Sequence, residues 1–107
     1  MVISMKALIS WFNVKKGKGK DFENFIKDSM NKSKNAKGNA GAILFRASET
    51  VNRYAILGFW ESRDDWSNFL DKVGAREAVK PYVQSKPKSE WFETLSRLQK
   101  GELVAKL

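Results

Sequence analysis

The chain contains neither cysteine nor histidine. Without thiols there can be no disulfide, no thiolate nucleophile and no cysteine-bound metal. Without imidazole, a transition metal would have to be held by carboxylates alone, and none of these cluster at ligand spacing. No metal and no cofactor are therefore expected. The residue that most often moves protons near neutral pH is also missing. No apolar run approaches the roughly 20 residues that span a bilayer. The first residues, MVISMKALISWF, lack the basic, apolar and small-residue succession of a signal peptide. These absences predict a soluble cytoplasmic protein without membrane contact. GKGK at 17–20 lacks P-loop spacing, so no phosphate cradle is expected. No two carboxylates share a strand face, which argues against paired-carboxylate hydrolysis.

What the chain does have is 107 residues, 42% of them apolar, with four tryptophans and seven phenylalanines. That length supports one domain around one core. We expect a single domain over 1–107, with a core at 5–95 and a C-terminal extension at 96–107. The net charge is +8, and the excess gathers in the first 40 residues, at Lys15, Lys16, Lys18, Lys20, Lys27, Lys32, Lys34 and Lys37. Such a patch would attract anions, but it is almost all lysine, whereas base reading favours arginine forks. A solvated helix face is the simpler reading, and no nucleic-acid partner is expected.

The pattern along the chain predicts its elements. Met5 to Val14 alternates, with Ala7, Ile9, Trp11 and Asn13 on one face and Lys6, Leu8, Ser10, Phe12 and Val14 on the other. Both faces are apolar at mid-strand, as in an interior strand covered on two sides. After the turn at 15–19, Lys20 to about Lys34 reads as a helix with Phe22, Phe25, Ile26 and Met30 on one stripe. Residues 35–41 read as a loop. Ala42–Ala47 and Arg53–Glu61 read as a hairpin, with Gly58 in the second strand leaving room for a bulky neighbour or a ligand. Ser62 with Asp65 forms a capping box for a helix over Arg63–Val73, whose stripe is Trp66, Phe69, Leu70 and Val73. Gly74 interrupts it, and a short second stripe is bent by Pro81. Ser89–Leu95 reads as a fourth strand. The tail from Ser96, with Leu98, Leu103, Val104 and Leu107, suits either a short helix or an added edge strand.

The order βαββαβ is the α+β, ferredoxin-like arrangement, a four-stranded antiparallel sheet with both helices on one side. The other apolar side of the sheet then has nothing in one chain to cover it. A second copy, sheet against sheet, would do so, and a homodimer is predicted on that ground.

The ordered set of elements over residues 5–95 resembles the antibiotic-biosynthesis monooxygenase family of dimeric α+β barrels. The resemblance lies in the turn Val14-Lys15-Lys16-Gly17, the helix start Asp21-Phe22-Glu23-Asn24-Phe25, the glycine loop, the strand end Trp60-Glu61-Ser62, and Trp66 on the following helix. It implies a homodimeric α+β barrel. It also implies activities that range over cofactor-free oxidation of anthrones or quinols and haem degradation. The haem-degrading branch uses an Asn on the first strand and a Trp and a His on the later helix. Those places hold Ser10, Phe69 and Val79 here, so haem chemistry is not implied. Many quinol-oxidising members carry a histidine where this chain has Phe69.

Cofactor-free oxygenation needs a desolvated aromatic pocket and a group that orients the substrate hydroxyl. Ser10, Arg46 and Tyr82 are the candidate catalytic residues, each a polar group at an inward-reading position or near the site. Phe12, Tyr54, Trp60, Trp66 and Phe69 are the candidate substrate-binding residues. Each aromatic also has a plain role as core, and each tyrosine can reach solvent. Two functions follow. One is a cofactor-independent monooxygenase acting on a small hydrophobic phenol, quinol or anthrone; the other is a non-catalytic dimeric module that binds a small hydrophobic aromatic ligand. A single-strand RNA binder would need the RNP aromatic pattern, which the third strand RYAILGFWE does not match.

Overall fold

A computed structural model of the protein describes residues 5–99 and 102–105, with side chains from Met5 to Ser96. Residues 1–4, part of the stretch read as lacking a signal peptide, and Leu107 of the tail lie outside the described residues. The elements run β1 (Lys6–Asn13), α1 (Gly19–Ser33), β2 (Asn39–Arg46), β3 (Arg53–Trp60), α2 (Arg63–Val73), α3 (Ala75–Ala78), a 3₁₀ turn (Lys80–Tyr82), β4 (Lys88–Glu93), β5 (Ser96–Gln99) and β6 (Glu102–Ala105). The main sheet has the order β2-β3-β1-β4, all neighbours antiparallel. This is the ferredoxin-like α+β fold expected from the residue pattern. The tail differs from both readings: β5 and β6 pair with each other in a separate two-stranded sheet.

Strand alternation decides which side chains meet the helices. On β1, Leu8, Ser10 and Phe12 are buried, and Val14 just beyond it is fully buried. Opposite them on β3, Tyr54 and Trp60 are buried on the same face. Helix α1 lowers Phe22 and Ile26 onto that face, and Phe22 has no exposed surface. Phe22 sits between two rings, 5.2 Å from Phe12 and 4.9 Å from Tyr54 by centroid, in the tilted geometry that aromatic pairs favour. Val79 and Val83 complete this cluster. Val83 bridges Val14, and the backbone N–H of Lys15 and of Gln84 bond to the Tyr82 and Asn13 carbonyls, both at 2.8 Å. The segment after α3 is thereby tied to the end of β1.

Helix α2 carries the serine half of the predicted capping box; the reciprocal bond from the Ser62 N–H to the Asp65 carboxylate is not among the hydrogen bonds of the described residues, and that carboxylate lies beside Gly38. The Asp65 N–H donates to Ser62 Oγ at 3.1 Å, and Gly74 ends the helix in the left-handed conformation, φ 66°, a typical glycine stop. The β2 boundary differs from the reading of 35–41 as loop, because the strand begins at Asn39 through a bulge at Asn39/Gly41. The Asn39 side chain donates to the Ser33 carbonyl and accepts from the Gly41 N–H, so residues that usually break structure here join α1 to the sheet. Gly38 is required by a neighbour as well as by its φ of +81°, since a Cβ there would collide with the Asp65 carboxylate.

The other face of the sheet carries Ile9 and Trp11 on β1, Leu57 and Phe59 on β3, Ile43 and Phe45 on β2, and Phe92 on β4, aligned by register. Ile43, Phe45 and Phe92 are 46%, 48% and 39% exposed. Replacing Phe22 by alanine should lower stability by about 3–5 kcal/mol, the usual cost of a buried Phe→Ala change. Urea unfolding followed by circular dichroism measures it, and a loss below about 1 kcal/mol would show that the cluster is not the anchor described.

Candidate functional site

Packing under the two long helices is unequal. Helix α1 buries Phe22, Ile26 and Ser33, whereas α2 buries none of its residues fully, although its apolar stripe faces the sheet. Between that stripe and the strands lies a cavity of about 810 Å³, within the size range of small-molecule sites. Its floor is formed by Leu8, Ser10 and Phe12 of β1 and Ile56, Gly58 and Trp60 of β3; Trp66, Phe69 and Leu70 of α2 and Phe25, Ile26 and Met30 of α1 line it from the helix side. Trp60 and Phe69 lie 5.9 Å apart by centroid, and Trp66 meets Trp91 edge-on at 5.6 Å. Arg76 and Arg63 lie over the Trp66 and Trp91 rings, each at 5.7 Å. Gly58 makes the indole of Trp60 possible in this pose: a Cβ at 58 would lie 3.2 Å from Trp60 Nε1.

Five of the sequence-predicted residues converge on this cavity, namely Ser10, Phe12, Trp60, Trp66 and Phe69. Ser10 is buried, and its hydroxyl is 2.8 Å from the Ser89 hydroxyl on β4. The pairing follows from register, since Ser10 and Ser89 are direct partners. Only one of the two hydroxyl hydrogens is used between them, so the pair keeps one donor and several lone pairs for a third group. Both serines line the cavity. Ser89 is the site residue that the sequence reading missed; the need of Ser10 for a cross-strand partner was the one available signal.

The other three lie elsewhere. Arg46 and Tyr54 share the inward face but at its closed end, where both donate to the Glu23 carboxylate of α1, at 3.1 and 2.7 Å. Neither lines the large cavity; they border a small hollow of about 170 Å³ with Trp11 and Phe45. Tyr82 stacks on Phe25 at 5.2 Å and is also absent from the cavity lining. The reason is geometric: alternation gives the face of a residue but not its distance along the strand from the helix above. Burial holds the Tyr54 phenol above its ordinary value near 10, and the hydrogen bond to Glu23 adds to this. It remains a donor and is no general base. That same hydrogen bond is the main cause lowering the Glu23 carboxyl below its ordinary value near 4.5, against some opposing desolvation and with help from Arg46.

Among the cavity-lining residues described, the carboxylate is Glu77, which is exposed and paired with Lys80 at 2.9 Å. Among the described residues no group of three or more His, Cys, Asp or Glu could hold a metal ion. No helix among them is long and apolar enough to cross a membrane.

The sheet order and the two helices on one face define a ferredoxin-like α+β domain, with an aromatic-lined cavity beneath α2. The chain belongs to the antibiotic biosynthesis monooxygenase family, whose profile matches residues 5–81. Solved structures share the fold. A proposed antibiotic biosynthesis monooxygenase from Nitrosomonas europaea is 17% identical with a TM-score of 0.77, over 85% of this chain and 90% of that one. A second, from Bordetella bronchiseptica, is 24% identical with a TM-score of 0.75, over 85% and 97%. A mutant of SnoaB, a cofactor-independent oxygenase from Streptomyces nogalater, is 16% identical with a TM-score of 0.74, over 88% and 96%. At these identities the likeness is one of fold. No curated protein matches the chain in sequence.

Tyr54→Phe removes the main cause of the lowered Glu23 value, so Glu23 should titrate closer to 4.5 in the variant. A carboxylate lowered in the folded state stabilises it above the unfolded-state value and loses that contribution as pH falls through the folded one. The variant should therefore lose less stability than the parent between neutral and acid pH. Carboxyl-detected NMR titration together with acid unfolding measures both, and an unchanged Glu23 titration would refute the assignment.

Proposed function

We propose that the protein is a cofactor-independent monooxygenase acting on a small hydrophobic phenol, quinol or anthrone. The observation that carries this reading is the hydroxyl pair Ser10–Ser89 facing a cavity walled by the apolar and aromatic side chains of β1, β3, α1 and α2. Family membership supports it, and SnoaB is a cofactor-independent oxygenase on the same fold.

In this reading the ring system lies among Trp60, Trp66 and Phe69, and its ring oxygen meets the free hydroxyl hydrogen of the serine pair. A donor fixed at that oxygen favours the enolate or phenolate over the neutral ketone or phenol, and its effect is larger in an apolar surround. No base stands in the interior among the described lining residues, so the proton is lost through the substrate's own acidity. For an anthrone the balance is simple. The carbanion supplies the electron pair to dioxygen, a C–O bond forms at the methylene carbon and the O–O bond breaks. One oxygen stays as the new carbonyl, and the other leaves as water with the two methylene hydrogens. The serine pair acts on the ring oxygen, and the aromatic walls exclude water from the reactive anion.

The same absence of an interior base favours a second reading, a small-ligand-binding module without catalysis. Both readings include a homodimer, in which the exposed face of Ile43, Phe45 and Phe92 is covered by the same face of a second copy. An isologous sheet-on-sheet contact is self-complementary and buries both apolar faces together.

Oxygen uptake with anthrone and a panel of hydroquinones should be detectable without added cofactor and insensitive to chelators. Ser10→Ala should lower kcat about 100- to 1000-fold, the range for losing one fixed donor, with retained binding of the aromatic ligand. Binding without oxygen uptake across the panel would select the module over the enzyme. Sedimentation should give a dimer, and Phe45→Lys should shift it to monomer; a monomeric parent protein would overturn the sheet-to-sheet assembly.

A further inference from the structure

The cavity has an apolar interior and a basic rim. Arg76 of α3, Lys80 of the 3₁₀ turn and Lys86 of the loop before β4 line it, against the single carboxylate of Glu77 among the described lining residues. All four are exposed, as is Ser89, so the mouth carries these charges and one hydroxyl of the pair, while Ser10 lies buried behind it. Two of the cations are already matched: Arg76 pairs with Asp71 and bonds Ser67 Oγ, and Lys80 pairs with Glu77. The ion pairs among the described residues do not involve Lys86. The backbone beneath it is constrained, since the preceding segment is bonded to the end of β1 at Lys15 and Asn13. Pro87, which follows, also biases Lys86 toward an extended conformation. Ser89, half of the hydroxyl pair, is three residues along and so at most about 10 Å away by chain.

From this arrangement we infer that the ligand is an aromatic hydroxy acid or a similar anionic ring compound, with its hydroxyl at Ser10–Ser89 and its acid group at Lys86. The inference rests on the reading of the cavity as the ligand site. A neutral ring would fill the apolar interior and leave the ammonium of Lys86, which has no ion-pair partner among the described residues, to water. An acid group at the other end of the ring meets it at the mouth, where both charges keep part of their hydration. In the reverse pose the acid would meet buried Ser10, where none of the described lining cations stands, and would lose part of its hydration for hydroxyl contacts alone. Lys86 would therefore set orientation as well as selectivity, bringing the hydroxyl end to the serine pair.

The test uses 6-hydroxy-2-naphthoic acid and its methyl ester as probes, titrated calorimetrically into the full chain. The acid should bind more tightly than the ester, and the gap should narrow at raised ionic strength. Lys86→Met keeps an apolar stem while removing the charge; it should weaken the acid about two- to fivefold, the scale of a partly exposed charge pair, and leave the ester unchanged. Lys72→Met, which removes an exposed charge from α2 outside the cavity lining, should leave both unchanged. If neither probe binds, the cavity is not the ligand site and both readings fall. If acid and ester bind equally, or if Lys86→Met and Lys72→Met act alike, the ligand site stands and the selection for an acid group is refuted.

Discussion

The structure depends on the central strand β1 having two apolar faces with different obligations. Leu8, Ser10, Phe12 and Val14 point to the helices, and Ala7, Ile9 and Trp11 point away. A one-residue slip would exchange the two sets, placing Ser10 on the open face and Trp11 under α1. Register is held on both sides, by eight paired positions with β3 and six with β4. The core, the cavity and the hydroxyl pair all follow from that register.

Along the inward face there is a second division. One end is closed by Phe22, whose ring is enclosed by Phe12 and Tyr54, and whose helix is tied to the sheet by Glu23 through Tyr54 and Arg46. At the other end α2 stands away from the strands, held by its capping serine, by Gly74 and by the Asp65 contact at Gly38. The tightly packed cluster and the open cavity thus lie at opposite ends of one sheet. The closed end can be tightly packed without filling the chamber.

Much of this was legible in the residues. The stripe of α1, the Ser62 cap, the Gly74 stop and the inward face of β1 each rest on local periodicity or local hydrogen bonding, and the structure agrees with each. The start of β2 was not legible, because Asn39 and Gly41 serve a bulge and a helix-to-strand link rather than a turn. The roles of Arg46 and Tyr54 were also hidden. Their partner Glu23 sits on α1, 31 residues before Tyr54, and no periodicity relates a helix position to a strand position. The same holds for Ser89, which meets Ser10 across 79 residues. Pairwise contacts between distant elements are settled by packing, whereas faces and caps are settled locally.

The glycine at 58 has a meaning beyond the pose of Trp60. Its backbone is not in the left-handed region, so nothing in the main chain demands glycine there; a methyl group would only press on the indole. The position of the Trp60 indole in the cavity wall is therefore sensitive to a single methyl group in the middle of β3, at a position that neither cap, core cluster nor hydroxyl pair uses. Any substitution at that site can only add atoms beside the indole, so a lineage carrying this scaffold could reshape that wall from one position while the architecture around it stays as it is.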